Sequence, residues 1–201
     1  MNHYFSEKPD IKSQREKIKY TIENKEMEFI TDNGVFSKSK IDFGTDLMLK
    51  TFIKNFKTEK GFDVLDIGCG YGIVSVVLKT FYPLSSVTLS DVNERALELS
   101  EENLKNHNIN DYKIVKSFAF DNISDKYDII MSNPPIRAGK ETIFKIYEGA
   151  YEHLNNKGEF YCVIQTKHGA KSTQKKLEEI FGNCETLTID GGYRIYKAEK
   201  N

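Results

Sequence analysis

The sequence has no tryptophan, only four prolines and three cysteines among 201 residues, and no uninterrupted run of the ~18–20 apolar residues that a membrane-spanning helix needs. Each shortage excludes a class. With 4 Pro and 13 Gly, the chain is neither collagen-like nor a low-complexity disordered segment. Cys69, Cys162 and Cys184 are odd in number, far apart and form no Cys-x-x-Cys pair, which argues against a disulfide scaffold and for reduced, inert thiols. His3, His107, His153 and His168 show no paired spacing with one another or with cysteine, so no metal site is expected. The opening MNHYFSEKPDIKSQREK lacks an apolar core for export, and a cytoplasmic location is expected.

Charge of either sign is also scarce in net terms, with 29 Lys and Arg against 30 Asp and Glu, which excludes nucleic-acid binding by bulk charge alone. The distribution is uneven. Residues 1–60 carry 12 basic and 10 acidic groups, residues 61–133 carry 6 and 11, and residues 134–201 carry 11 and 9. An acidic middle for a cationic or ribose-bearing cofactor, between basic ends facing a polyanion, gives this pattern; so does chance.

What is present is alternation. KIKYTI, the polar turn ENKE and MEFIT read as a β-hairpin with one buried face, followed by a loop and a helix at LMLKTFIKNF. From Phe62 strands and helices take turns. FDVLDIG, SSVTLSD, YKIVKS, YDIIMSN and GEFYCVIQT read as strands, with helices over residues 72–82, 93–108, 140–155 and 169–182. CETLTID and GYRIYKA close the chain as a hairpin around Gly191-Gly192. The pattern predicts an α/β fold, a doubly wound and mostly parallel seven-stranded sheet with an antiparallel C-terminal strand. No repeat or linker interrupts it, so one compact unit is expected, residues 1–60 being an extension packed on a core of residues 61–201.

Ligands of such sheets sit at the carboxyl ends of the strands. The first core strand ends in Asp66-Ile67-Gly68-Cys69-Gly70-Tyr71-Gly72, whose glycines let the backbone turn tightly beside a ligand, or simply make a strand-to-helix turn. The third glycine comes one residue too early for a dinucleotide fingerprint, which counts against NAD. Asp91 ends the second strand at the spacing of a ribose-binding carboxylate, or as a cap for the helix opening Asn93-Glu94-Arg95. Ser132-Asn133-Pro134-Pro135-Ile136 closes the fourth. Two prolines make a stiff turn without donors of its own, suited to an exocyclic NH₂ held by the Asn133 side-chain oxygen and the Pro134 carbonyl.

The glycine loop, the acidic end of the second strand and Asn-Pro-Pro-Ile resemble the class I S-adenosylmethionine-dependent methyltransferases that act on exocyclic or amide nitrogens. HYFSEKPD, GVFSKSKIDFGTDLML and NPPIRAGK extend the resemblance over nearly the whole chain, to the small-subunit (16S) ribosomal RNA guanine-N2 methyltransferases in their short, single-domain bacterial form. The resemblance implies a Rossmann-like fold, S-adenosylmethionine as cofactor, and ribosomal RNA or the small ribosomal subunit as partner, with no membrane. It implies Asp66, Gly68, Gly70 and Gly72 around the methionine part, Asp91 on the ribose, and Phe118 and Ala119 flanking the adenine. It also implies a catalytic turn of Asn133, Pro134, Pro135 and Ile136, with Asn133 on the target amine. Where many amino-methyltransferases place an aromatic residue to stack on the flipped base, this chain has Ile136. Phe36, Tyr71 and Phe43 are the substitutes, or aliphatic packing replaces stacking. Arg137, Lys140 and Lys167 fall on the same rim, for phosphates or as solubilising charges, and His168 follows as a loop or helix-start residue, or as a substrate contact on that rim. A protein glutamine amide or adenine N6 as target, and an idle RNA-binding module on the same fold, stay open, as do the modified nucleotide and the oligomeric state.

Overall fold

The hairpin forms where the alternation places it, β1 (Glu16–Ile22) pairing with β2 (Lys25–Thr31). Ile18, Tyr20, Ile22, Met27 and Phe29 point inward, while Lys17–Glu28 and Lys19–Glu26 pair across the outer face at 2.7 and 3.2 Å. Glu23 and Asn24, with φ of 45° and 62°, make the left-handed two-residue turn that matches strand twist. The computed structural model describes residues 11–201; all of HYFSEKPD, His3 included, lies outside the described residues.

After α1 (Phe43–Asn55) come β3 (Asp63–Ile67), α2 (Ile73–Phe81), β4 (Ser86–Asp91), α3 (Glu94–Asn106), β5 (Tyr112–Lys116) and β6 (Tyr127–Ser132). The chain closes with α4 (Lys140–His153), β7 (Leu154–Gln165), α5 (Ala170–Phe181), β8 (Glu185–Asp190) and β9 (Tyr193–Glu199). The seven-stranded sheet runs β5-β4-β3-β6-β7-β9-β8; the first five are parallel, and β9 is antiparallel to both neighbours. The fold is the Rossmann-like one expected. The central strands are apolar on both faces because helices cover both. Val64, Met131 and Val163 pack with the hairpin, α1, α2 and α3, and Leu65, Ile130 and Ile164 pack with α4 and α5.

Two boundaries differ from the sequence reading. The first helix starts at Phe43, before the apolar run, because Asp42 caps it by accepting from the Thr45 amide at 2.9 Å. The strand read as GEFYCVIQT begins at Leu154, opposite Tyr127, and a register shift separates that pair from Ile129 and Glu159. No helix among the described residues is long and apolar enough to cross a membrane.

Candidate active site

Strand order reverses at β3, which has β4 on one side and β6 on the other, so the crevice opens above Ile67, opposite Ser90 and Ser132. The glycine loop leaves the sheet there. Gly68 and Cys69 donate their amides to the Ser90 carbonyl at 2.8 and 3.0 Å, and Gly70 donates to Asp91 Oδ2 at 3.0 Å. Gly68 and Gly70 have φ of 73° and 56°, and a Cβ at either would meet nothing within 4 Å, so this backbone faces open space.

Ser132 Oγ donates to the Ile67 carbonyl at 3.1 Å, which places the turn that follows β6 next to the glycine loop. The Asn133 amide nitrogen donates to Asp42 Oδ2 at 3.0 Å and to Thr45 Oγ1 at 2.9 Å, so both hydrogens are committed and Oδ1 is the atom left for a ligand. Pro134 and Pro135 contribute no amide hydrogens, and a short 3-10 turn over Ile136–Ala138 leads on to α4. The cap of α1 thus also sets the amide of Asn133.

Loop and turn are two walls of one cavity of about 660 Å3, within the roughly 300–1,000 Å3 range of small-molecule sites. Gly68, Gly70, Ser90, Asp91, Phe118 and Ala119 line one end; Asn133, Pro134, Pro135, Ile136, Gln165 and Tyr193 line the other. Two buried side-chain oxygens lack a hydrogen-bond partner among the described residues, Ser90 Oγ and Gln165 Oε1, and both belong to cavity-lining residues. A buried orphan of this kind costs about 1–3 kcal/mol unless a ligand satisfies it.

The first end fits an adenosine-bearing cofactor. Asp91 accepts from the Gly70 and Asn93 amides, at 3.0 and 2.9 Å, and each carboxylate oxygen retains a lone pair for a hydroxyl. Burial pushes its carboxyl above the usual range, against those two amide bonds. Phe118 and Ala119 lie in a turn fixed by Ser117, whose Oγ donates to the Ala119 carbonyl at 3.0 Å and accepts from the Asn122 amide at 3.0 Å. The open glycine backbone and the unpartnered Ser90 hydroxyl complete a wall with room for a ligand flush against it.

The methyltransferase small domain family model matches residues 26–197. The chain belongs to that family. It is therefore an S-adenosylmethionine-dependent methyltransferase, as its glycine loop suggests. The methyltransferase is 42% identical over 200 residues to the uncharacterized protein YbxB of Bacillus subtilis (strain 168), covering 98% of each. It is 36% identical over 168 residues to the ribosomal RNA small subunit methyltransferase C of Enterobacter sp. (strain 638), covering 82% of this chain and 47% of that one. It thus spans about half the length of the methyltransferase C relatives. The T. thermophilus 16S rRNA N2 methyltransferase (RsmC), solved in complex with AdoMet and guanosine, shares the fold with a TM-score of 0.85 at 24% identity, over 96% of this chain and 52% of that one.

Several residues expected at the site stand elsewhere. Asp66 is buried behind the loop, off the cavity, accepting from Ser75 Oγ at 3.0 Å, and burial pushes its carboxyl up to about 7. Gly72 is also off the cavity: it caps α2 with φ of 84°, and a Cβ there would meet Ser100 Cβ at 2.8 Å, so it serves packing against α3. Lys140 and Lys167 are exposed but do not line the cavity, whereas Arg137 and His168 do. Of the three aromatic candidates, Phe36 lines the cavity and is exposed. Tyr71 is buried away from it, and Phe43 packs on Tyr193 with ring centroids 5.4 Å apart. The three thiols are free, and burial pushes all of them up, Cys184 to about 12, so they are protonated at neutral pH.

Asp42, Thr45, Gln165 and Tyr193 went unassigned by the sequence. DFGTD holds a helix-cap signal that could have placed Asp42 at the start of α1, but no local signal ties it to Asn133. Gln165 and Tyr193 meet only because β9 inserts next to β7, where the two residues are register partners.

Proposed function

We propose that this methyltransferase modifies the exocyclic N2 amine of a guanine in small-subunit ribosomal RNA, in the cytoplasm. The observation that carries the reading is the Asn133 amide: Asp42 and Thr45 take its hydrogens, and its oxygen stands beside two prolines in a turn adjoining the glycine loop. That end of the cavity accepts hydrogens from an amino group. The methyltransferase C relatives are small-subunit ribosomal RNA methyltransferases and the T. thermophilus enzyme is a 16S rRNA N2 methyltransferase of a guanine, which supports guanine in ribosomal RNA as the target.

Bound against Gly68, Gly70, Ser90 and Asp91, S-adenosylmethionine supplies an electrophilic methyl group on a sulfonium. The chain's own residues orient and polarise. Asn133 Oδ1 and the Pro134 carbonyl accept the two N–H bonds of the amine, which draws its lone pair out of ring conjugation and offsets positive charge growing on the nitrogen. The hydrogen bond from Asn133 to the Asp42 carboxylate raises the electron density on Oδ1 and strengthens that effect. Ile136 and Phe36 give the base an apolar bed. A guanine amine is reached when its nucleotide is splayed from its helix or single-stranded.

The test is a map of N2-methylguanosine in small-subunit ribosomal RNA from cells with and without the protein. Loss of one methylated guanine without it, restored by the wild-type chain, is expected. An unchanged map overturns the reading, and label transfer by the purified chain to adenine N6 or to a protein glutamine replaces it.

A further inference from the structure

Gln165 ends β7, the strand beside β6, and Ser132 is register partner to Cys162, so Val163–Gln165 runs alongside the Asn133–Pro135 turn. Across the other edge of β7, Gln165 faces Tyr193 of β9, and its side-chain nitrogen donates to the Tyr193 hydroxyl. Tyr193 is itself held in place. Its ring packs on Phe43 and fills the space beside Gly44, where a Cβ would meet Cε1 at 2.8 Å. The amide of Gln165 is therefore oriented, nitrogen toward Tyr193, and its oxygen is buried with no partner among the described residues.

The position of this orphan gives it meaning. The other unpartnered buried oxygen, on Ser90, lies on β4 at the cofactor end, whereas Gln165 shares the target end with Asn133. That end thus offers two side-chain acceptors and the carbonyls of a turn without donors. Guanine presents adjacent donors, N1–H and the N2 amine, whereas adenine pairs its amine with an N1 that only accepts.

We propose that Gln165 is the specificity residue of this site, its Oε1 accepting the N1–H of guanine while Asn133 holds the neighbouring N2 amine. The proposal rests on the guanine-N2 reading and deepens it. A base with an acceptor at N1 leaves Oε1 unsatisfied and facing a lone pair, and a site built to pair a polar group rejects such an analogue.

The test is equilibrium binding of guanosine and of 2-aminopurine riboside to protein saturated with S-adenosylhomocysteine. The analogue keeps the N2 amine but has an acceptor at N1. Wild type is expected to prefer guanosine about tenfold or more. Gln165→Leu is expected to lose most of that preference with unchanged affinity for S-adenosylhomocysteine. Gln165→Glu, which keeps an acceptor there, is expected to retain the preference. The ratio of the two ligands is the readout, since damage to folding weakens both alike. An unchanged ratio in Gln165→Leu, or a lost one in Gln165→Glu, overturns the role of Gln165 and leaves the guanine reading standing. Wild type that binds S-adenosylhomocysteine but neither nucleoside removes that reading, and this proposal with it.

Discussion

Asn133 has one free acceptor because Asp42 and Thr45 hold its donors, and in the proposed reaction that division of labour separates chemistry from cofactor binding. Asn133→Ala is expected to lower turnover roughly 10²–10³-fold, the magnitude of losing one donor or acceptor to developing charge, with the affinity for S-adenosylhomocysteine essentially unchanged. Calorimetry alongside single-turnover transfer checks the split, and lost cofactor affinity with intact turnover contradicts it. Asp42→Asn tests the next link. Asparagine is as good a helix cap as aspartate, so the melting temperature should hold, but it can donate, and the Asn133 amide is free to turn. Turnover is expected to fall about tenfold. Asp42→Ala removes the cap as well and should cost about 1 kcal/mol of stability in denaturant unfolding. At Asp66 the readout is pH. Burial raises its carboxyl from 3.8 to about 7, against the Ser75 hydrogen bond, so between those values the folded chain binds a proton that the unfolded chain has lost. Stability therefore falls as pH rises through that window and levels off above about 7. Asp66→Asn removes the penalty, so its melting temperature relative to wild type should climb from about pH 5 to about pH 8. A pH-independent difference would mean that Asp66 is ionised in the fold.

Among the elements, the hairpin is joined to α3 through polar side chains as well as apolar contact. Asn103 Oδ1 accepts from the Ile30 amide at 2.8 Å, and its nitrogen donates to the Ile30 and Tyr71 carbonyls, both at 2.9 Å. Asn93 and Arg95, at the start of the same helix, donate to the Gly34 and Asn33 carbonyls at 2.8 and 2.6 Å. These bonds deliver Val35, Phe36 and Ser37 to the cavity wall. Asn103→Ala leaves three buried or part-buried backbone groups without their partner and is expected to cost about 2–3 kcal/mol in denaturant unfolding. A change below about 0.5 kcal/mol would show the hairpin to be held by apolar contact alone. Element type was legible here because burial has a period, two for the strand residues Ile18, Tyr20 and Ile22 and three to four for the α3 residues Leu97, Ser100 and Leu104. Side-chain direction inside a turn has no such period. Hence Asp66 and Gly72 read as cavity residues from their motif, while the structure turns one toward Ser75 and packs the other on Ser100.

At the scale of the whole molecule, the sheet order does what no local pattern encodes. It sets the β4 end, with Asp91, on one side of β3 and the β6, β7 and β9 ends, with Asn133, Gln165 and Tyr193, on the other. The glycine loop, Asp91 and the proline turn were readable because each is a contiguous motif at a strand end, whereas Gln165–Tyr193 depends on a strand inserted out of chain order. The charge pattern belongs to this scale too. Arg137, Lys140 and Lys167 are exposed beyond the ends of β6 and β7, and among the described residues none has a carboxylate within ion-pair distance. Cations without a carboxylate partner on the rim of the proposed RNA site should release counterions on binding, each contributing about 0.7 to the slope of log affinity against log salt for single-stranded RNA. Replacing all three with alanine is therefore expected to flatten that slope by about 2 for small-subunit ribosomal RNA, while S-adenosylhomocysteine, held at the far end of the cavity, binds as before. Filter binding across a salt series reads the slope directly. A parallel line displaced to lower affinity would show that the three charges act through the fold and not on phosphate.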